Sequence, residues 1–179
     1  MQAVAKIKAF NCDTLDTAKQ RQLQNAHKRL LMEASKQPLG VEVGRVFDLD
    51  MQPLTGNIIG SAEGHSVKLP NFDTPYIVIH THPASGIFSH GDLKSFIKNE
   101  NLKLMTALGH SGHIFAIEKT STYDFAAADK IIKKLYEQIL VMADTPREKL
   151  SDTDLLTRAE GLVESSIKEL ETHGIKFYH

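Results

Sequence analysis

Residues 76–93 read YIVIHTHPASGIFSHGDL. An apolar run from Tyr76 to Ile79 leads into His80-Thr81-His82, a proline, a loop of small residues, and Ser89 with Asp92 three positions on. The run reads as a buried strand. Alternate strand residues share a face, so Tyr76, Val78, His80 and His82 lie on one side and Ile77, Ile79 and Thr81 on the other. The two imidazoles then stand side by side, at a spacing that one metal ion can bridge. Pro83 cannot donate to a ladder and turns the chain. The loop 84–88 is short enough to start the next helix close to the histidines, with Asp92 in its first turn. Two neutral imidazoles and a carboxylate suit zinc, and a fourth position left to water marks a catalytic site. A plainer reading of the same residues stays open. Ser89 and Asp92 also form a capping-box pattern, serine as N-cap and aspartate favoured by the helix dipole.

Outward from this stretch, residues 41–50 (VEVGRVFDLD) alternate and are rich in β-branched residues, and QPLTGN followed by IIGS predicts a hairpin to a second strand. GHSVKLP, 64–70, reads as a third short strand. Upstream, residues 14–36 carry Leu15, Leu23, Ala26, Leu30 and Ala34 at helical spacing, with Thr14 or Asp16 at the start and Gln37-Pro38-Leu39-Gly40 as the exit. Downstream, HGDLKSFIKN reads as a helix, and residues 102–119 as two strands around the turn His110-Ser111-Gly112-His113. From Tyr123 the period is helical to Gly174, a natural stop, with a break at Thr145-Pro146. The expected fold is α+β, a three-layer α/β/α domain around a mixed, mainly antiparallel sheet. It forms one domain over 1–179, with an N-terminal helix 14–36 and a C-terminal helical extension 123–173. The apolar stripes of that extension, such as Ile131, Leu135 and Ile139 or Leu155, Leu162 and Ile167, predict packing onto the sheet or a homodimer interface.

Composition narrows the function classes. Of the 179 residues 41% are hydrophobic and 24% charged, as in ordinary globular proteins. The net charge is −1, and the 21 Lys and Arg are spread along the chain, so there is no basic stripe for nucleic acid or anionic membrane. The single cysteine, Cys12, rules out an intrachain disulfide and a cysteine-based zinc site. No apolar run is long enough to span a bilayer, and the N-terminus does not read as a signal peptide, so the expectation is a soluble, cytoplasmic protein.

His80-Thr81-His82-Pro83, the short loop and Ser89-x-x-Asp92 together resemble the JAMM/MPN+ (JAB) metalloprotease signature. The resemblance covers about 41–119, which would form the JAB core. It implies that His80, His82 and Asp92 hold Zn2+ and that Ser89 helps stabilise the tetrahedral intermediate. It also implies a glutamate on an earlier strand that works on the metal-activated water. Glu42 is the first choice, since strand alternation sets it with Gly44 and Val46, away from the apolar side formed by Val41, Val43, Phe47 and Leu49. Glu63, in a Gly-rich setting, is the rival. Nine residues separate His82 from Asp92, one fewer than in the usual family pattern. This shorter loop is more similar to bacterial and phage-associated JAB-like domains than to eukaryotic deubiquitinases.

The implied activity is zinc-dependent hydrolysis of a peptide or isopeptide bond, in a peptide or protein substrate that includes ubiquitin-like proteins. Two further classes stand beside it: a non-catalytic JAB-like scaffold, and a DNA-associated JAB-like protein, which the near-neutral charge disfavours. Other histidines weigh less. His90 flanks the motif, His65 could approach from the preceding strand, and His110 with His113 reads as a surface hairpin. Cys12 has no neighbouring base to activate it.

Overall fold

The computed structural model describes residues 2–61, 66–83, 86–144 and 151–179. In chain order these form α1 (Gln2–Lys6), α2 (Thr17–Ala34), β1 (Val43–Asp48), β2 (Ile58–Ile59), β3 (Tyr76–His82), α3 (His90–Lys98), β4 (Leu102–Gly109), β5 (Ile114–Lys119), α4 (Phe125–Ala143), α5 (Asp152–Glu171) and β6 (Ile175–Tyr178). The class is mixed α+β. One six-stranded sheet runs β2-β1-β3-β4-β5-β6. Only β3 and β4 pair in parallel, and the other neighbours are antiparallel.

β3 lies inside the sheet, and all seven of its residues are buried. Its alternation divides the core in two. Tyr76 and Val78 join Val46, Met105 and Ile117 in one cluster with Leu93 and Phe96 of α3, Ile131 and Leu135 of α4, and Val163 and Ile167 of α5. Ile77 and Ile79 join Val43, Phe47, Leu104 and Ala116 in a second cluster with Leu23, Leu30 and Ala34 of α2. An amphipathic helix that buries a stripe this way gains about 1.5–3 kcal/mol per large apolar side chain, which explains why these marginal helices form. α3 returns the chain from β3 to the parallel β4. The carboxyl end of β3 therefore faces the amino end of α3 across the short loop 83–89.

Local signals set most boundaries. Asp16 caps α2 by accepting from the Lys19 amide at 2.9 Å, so the helix begins at Thr17 and not at 14. Leu15 is buried outside it. The third short strand expected over 64–70 does not form in the described part. Ser66 makes an isolated bridge to Ser61, and the Val67 amide donates to the Glu42 carboxylate instead of a ladder. The break at Thr145-Pro146 falls outside the described residues. Two elements were not foreseen: α1, too short for a periodic signal, and β6, which pairs with β5. Buried Glu118 ties this edge together, accepting from the amides of Asp13 and Thr14 and from the Tyr178 hydroxyl. No helix among the described residues is long and apolar enough to cross a membrane.

Gly174, read as a helix stop, has φ +80°, and a Cβ there would lie 2.4 Å from Thr122 C and Tyr123 N. Gly174→Ala is therefore expected to cost more than about 1 kcal/mol of folding stability. Chemical denaturation that leaves the midpoint unchanged would contradict this.

His27 is buried beneath the sheet, with its Nε2 2.8 Å from Thr106 Oγ1. Burial pulls its pKa down from 6.5 to about 3. The unfolded chain thus takes up a proton that the folded chain refuses. The stability from keeping this ring neutral is complete above about pH 6.5 and is lost as the pH falls towards 3. Between pH 6 and 4.5 the wild type should lose up to about 1.4 kcal/mol per pH unit more than His27→Gln. Urea titrations at several pH values with equal slopes for the two proteins would sink this account.

Candidate metal centre

The carboxyl end of β3 sets His80 and His82 on the same face as Tyr76 and Val78, as the period of 2 requires. Their Nε2 atoms lie 3.0 Å apart. Asp92, in the first turn of α3, approaches both: Oδ1 lies 3.4 Å from His80 Nε2 and Oδ2 lies 3.2 Å from His82 Nε2. A tetrahedral ion with bonds of about 2.0–2.1 Å has ligand–ligand edges of about 3.3–3.4 Å. The two shortest Asp92 separations use different carboxylate oxygens; taken as one ligand atom per residue, the three lie within 4.8 Å of one another, near enough for one ion to reach all three. The group could hold a metal ion, and His80, His82 and Asp92 are the only such cluster among the described residues.

The tautomers agree. His82 Nδ1 faces the carbonyl oxygens of Gly86 at 3.2 Å and Ile87 at 3.0 Å. Carbonyls only accept, so Nδ1 carries a hydrogen, and in the neutral ring the lone pair is on Nε2. That lone pair points at Asp92 and, at 3.9 Å, at Glu42 Oε1. Acceptors facing acceptors repel unless a proton or a metal ion lies between them. His80 Nδ1 is buried with no hydrogen-bond partner among the described residues, so packing orients this ring, against Phe88 at 6.4 Å and His82 at 4.8 Å.

Both readings of Ser89-x-x-Asp92 hold at once. Ser89 caps α3: its Oγ accepts from the Asp92 amide at 3.1 Å, and its own amide and hydroxyl each donate to Asp92 Oδ2 at 2.7 Å. This fixes the carboxylate and leaves Oδ1 turned to His80. The chain contains an internal comparison. Ser151 and Asp154 build the same capping box at α5, with the Ser151 hydroxyl 2.6 Å from Asp154 Oδ2, yet among the described residues it belongs to no metal-binding cluster. The cap is thus a local device that α3 uses to orient a ligand. Carbonyl support for His82 and serine support for Asp92 are the outer contacts a metal site needs.

Glu42 immediately precedes β1. Gly44 pairs with His80 in the antiparallel register, and continuing it by two residues sets Glu42 opposite His82. Its Oε2 accepts from the Val67 amide at 3.1 Å, which holds Oε1 towards the histidines. The expectation that Glu42 points away from apolar packing needs correction, because Val46 on the same face joins a hydrophobic cluster. Helices bury both faces of β1, and Glu42 stays polar because it lies beyond that cluster, at the edge of a cleft. Glu63 and His65 lie outside the described residues.

The electrostatics follow from this crowding. Burial alone would raise the Asp92 carboxyl, but the two histidines overcome it and hold it well below the usual carboxylate range. Burial raises Glu42, only partly offset by His82 and His80. For His82, burial opposes the charged form, and Asp92 and Glu42 outweigh it, so the net direction is upward. The donor set of two imidazoles and a carboxylate fits a divalent ion such as zinc.

The remaining candidates lie elsewhere. His90 stacks on Tyr136 at 5.1 Å, and burial, with Lys94 nearby, lowers its pKa. His110 and His113 flank the β4–β5 turn, as read from sequence. The Cys12 thiol is buried and pushed up to about 11 by burial and Glu118, unsuited to nucleophilic work. Sequence reasoning missed the far wall of the cleft: Ile139 of α4 and Leu156, Ala159 and Val163 of α5 face the site across about 590 Å³. Comparisons of the chain with models of protein families, with curated proteins and with solved structures return no match.

Proposed function

We propose that this protein is a zinc-dependent hydrolase of peptide or isopeptide bonds, of the JAMM/MPN+ type. The observation that carries the reading is the convergence of one ligand atom from each of His80, His82 and Asp92 within 4.8 Å of one another, with the Glu42 carboxylate 3.9 Å from His82 Nε2. The division of the core between α2 on one side and α3, α4 and α5 on the other supports a JAB-like three-layer arrangement.

His80, His82 and Asp92 would hold the ion. Zinc, when bound, supplies Lewis acidity and lowers the pKa of water towards neutrality. Glu42 takes a proton from the attacking water and delivers it to the leaving amine nitrogen, held in place for this by the Val67 amide. Ser89 orients Asp92 through its amide and hydroxyl. Its single O–H would turn from Asp92 Oδ2 to the carbonyl oxygen on which charge builds, while the amide keeps its bond to the carboxylate. The substrate is a peptide or protein tail, ubiquitin-like proteins included, with water and an amide giving a carboxylate and an amine.

The test is a panel of peptide and isopeptide substrates presented to the zinc-loaded protein, with Glu42→Gln as the comparison. A zinc-loaded wild type that cleaves none of them, or a Glu42→Gln variant that retains whatever function is found, would point instead to a non-catalytic JAB-like scaffold.

A further inference from the structure

The cleft in front of the candidate centre is made by parts of the chain far apart in sequence. One wall is Glu42, His82, Ser89 and Asp92. The other is apolar, and its core is Leu156, Ala159 and Val163 of α5, which lies outside the segment that resembles the JAB core. Leu156, 67% exposed, lines the lip, where its side chain is open to an incoming ligand. The volume, about 590 Å³, is that of a pocket for a sizeable ligand and more than a glycine backbone fills. Charge selects as well. Among the described residues no lysine or arginine lines the cleft, while Glu42, Asp92 and Glu160 do. A bound divalent ion balances the first two carboxylates and leaves Glu160 to repel an acidic side chain.

We propose that this cleft is a subsite for a bulky apolar side chain, Leu- or Phe-like, on the substrate residue next to the scissile amide, and that α5 sets the preference. The proposal rests on the hydrolase reading above. Removing such a side chain from water against Leu156, Ala159 and Val163 favours both binding and turnover, and glycine forgoes that gain.

The experiment uses the full chain and fluorogenic peptides that carry Leu, Phe, Gly or Asp on either side of the scissile bond. Binding is read by fluorescence anisotropy on zinc-loaded Glu42→Gln, and kcat/KM on wild type. On one side of the bond, Leu and Phe should exceed Gly on the order of 10- to 100-fold in both readouts, with Asp weakest. Ala159→Leu keeps a good helix former in α5 and fills the cleft, and Leu156→Gln removes its apolar lip. Each should lower the Leu-to-Gly ratio by about 5-fold or more, with the far-ultraviolet spectrum and melting curve confirming the fold. Equal handling of Leu and Gly peptides, no binding of any peptide, or a ratio that both variants leave untouched would overturn the proposal. Zinc content separates the two ideas. A chain that takes up no zinc removes the hydrolase reading, whereas a zinc-loaded enzyme that cleaves without preference removes only the role of α5.

Discussion

Protein purified without added metal is expected to carry about one zinc per chain, and His80→Ala, His82→Ala and Asp92→Ala are each expected to lose it. The reason is geometric. One ligand atom from each of the three residues already lies within 4.8 Å of the other two, so an ion can draw them together by side-chain shifts without refolding the chain. Removing one of three protein ligands should lower affinity by more than about 100-fold, since loss of an outer-shell partner alone costs about 10- to 100-fold. Ser89→Ala belongs to the outer class. It removes both the α3 cap and the donor to Asp92 Oδ2, so a 10- to 100-fold loss of affinity should accompany about 1 kcal/mol of helix stability. Ser151→Ala is the control, because it removes the same cap from α5 and should leave zinc untouched. Zinc-binding titrations with a competing chelator, beside denaturation curves, separate the two effects. A well-folded wild type that neither carries nor takes up zinc would reduce the cluster to a capped helix packed against two histidines.

The second large effect is on turnover. Glu42→Gln should lower kcat about 10²- to 10⁴-fold, the range set by loss of a general acid–base group, while zinc stays at the wild-type level. The two halves of this expectation come from different distances. Glu42 Oε1 is 3.9 Å from His82 Nε2, outside the triad, so the ion keeps its protein ligands. The amide oxygen of glutamine can still accept from Val67, so the side chain stays in place and only the proton transfer is lost. Steady-state rates on a cleavable peptide, with zinc measured on the same sample, check both halves. Loss of zinc together with activity would instead make Glu42 a ligand, and undiminished turnover would remove it from the chemistry.

Much of the site was legible because it is local. His80 and His82 follow from strand alternation, Pro83 ends the ladder, and the Ser89 cap orients Asp92, all within residues 80–92. Ser-x-x-Asp alone would have misled, since Ser151 and Asp154 form the same box without joining a metal-binding cluster among the described residues. The short strand expected over 64–70 does not form in its described part, 66–70, where the Val67 amide finds a side-chain acceptor in Glu42, a contact that no propensity encodes. β6 escaped notice because four residues after a helix stop give too little period to read.

The sequence by itself determined the segments that bury one face, where they stop, and that the two histidines and the aspartate meet at the end of β3. Hydrogen-bond caps, proline and side-chain periodicity act over a few residues, so they can be read from the chain. Only the tertiary structure decided that Glu42 faces His82, that β3 and β4 run parallel, and that α5 walls the cleft. Strand register and helix docking are set by which distant apolar faces bury each other, and many pairings of these amphipathic segments look equally good along the sequence. Packing around β3 selects one of them.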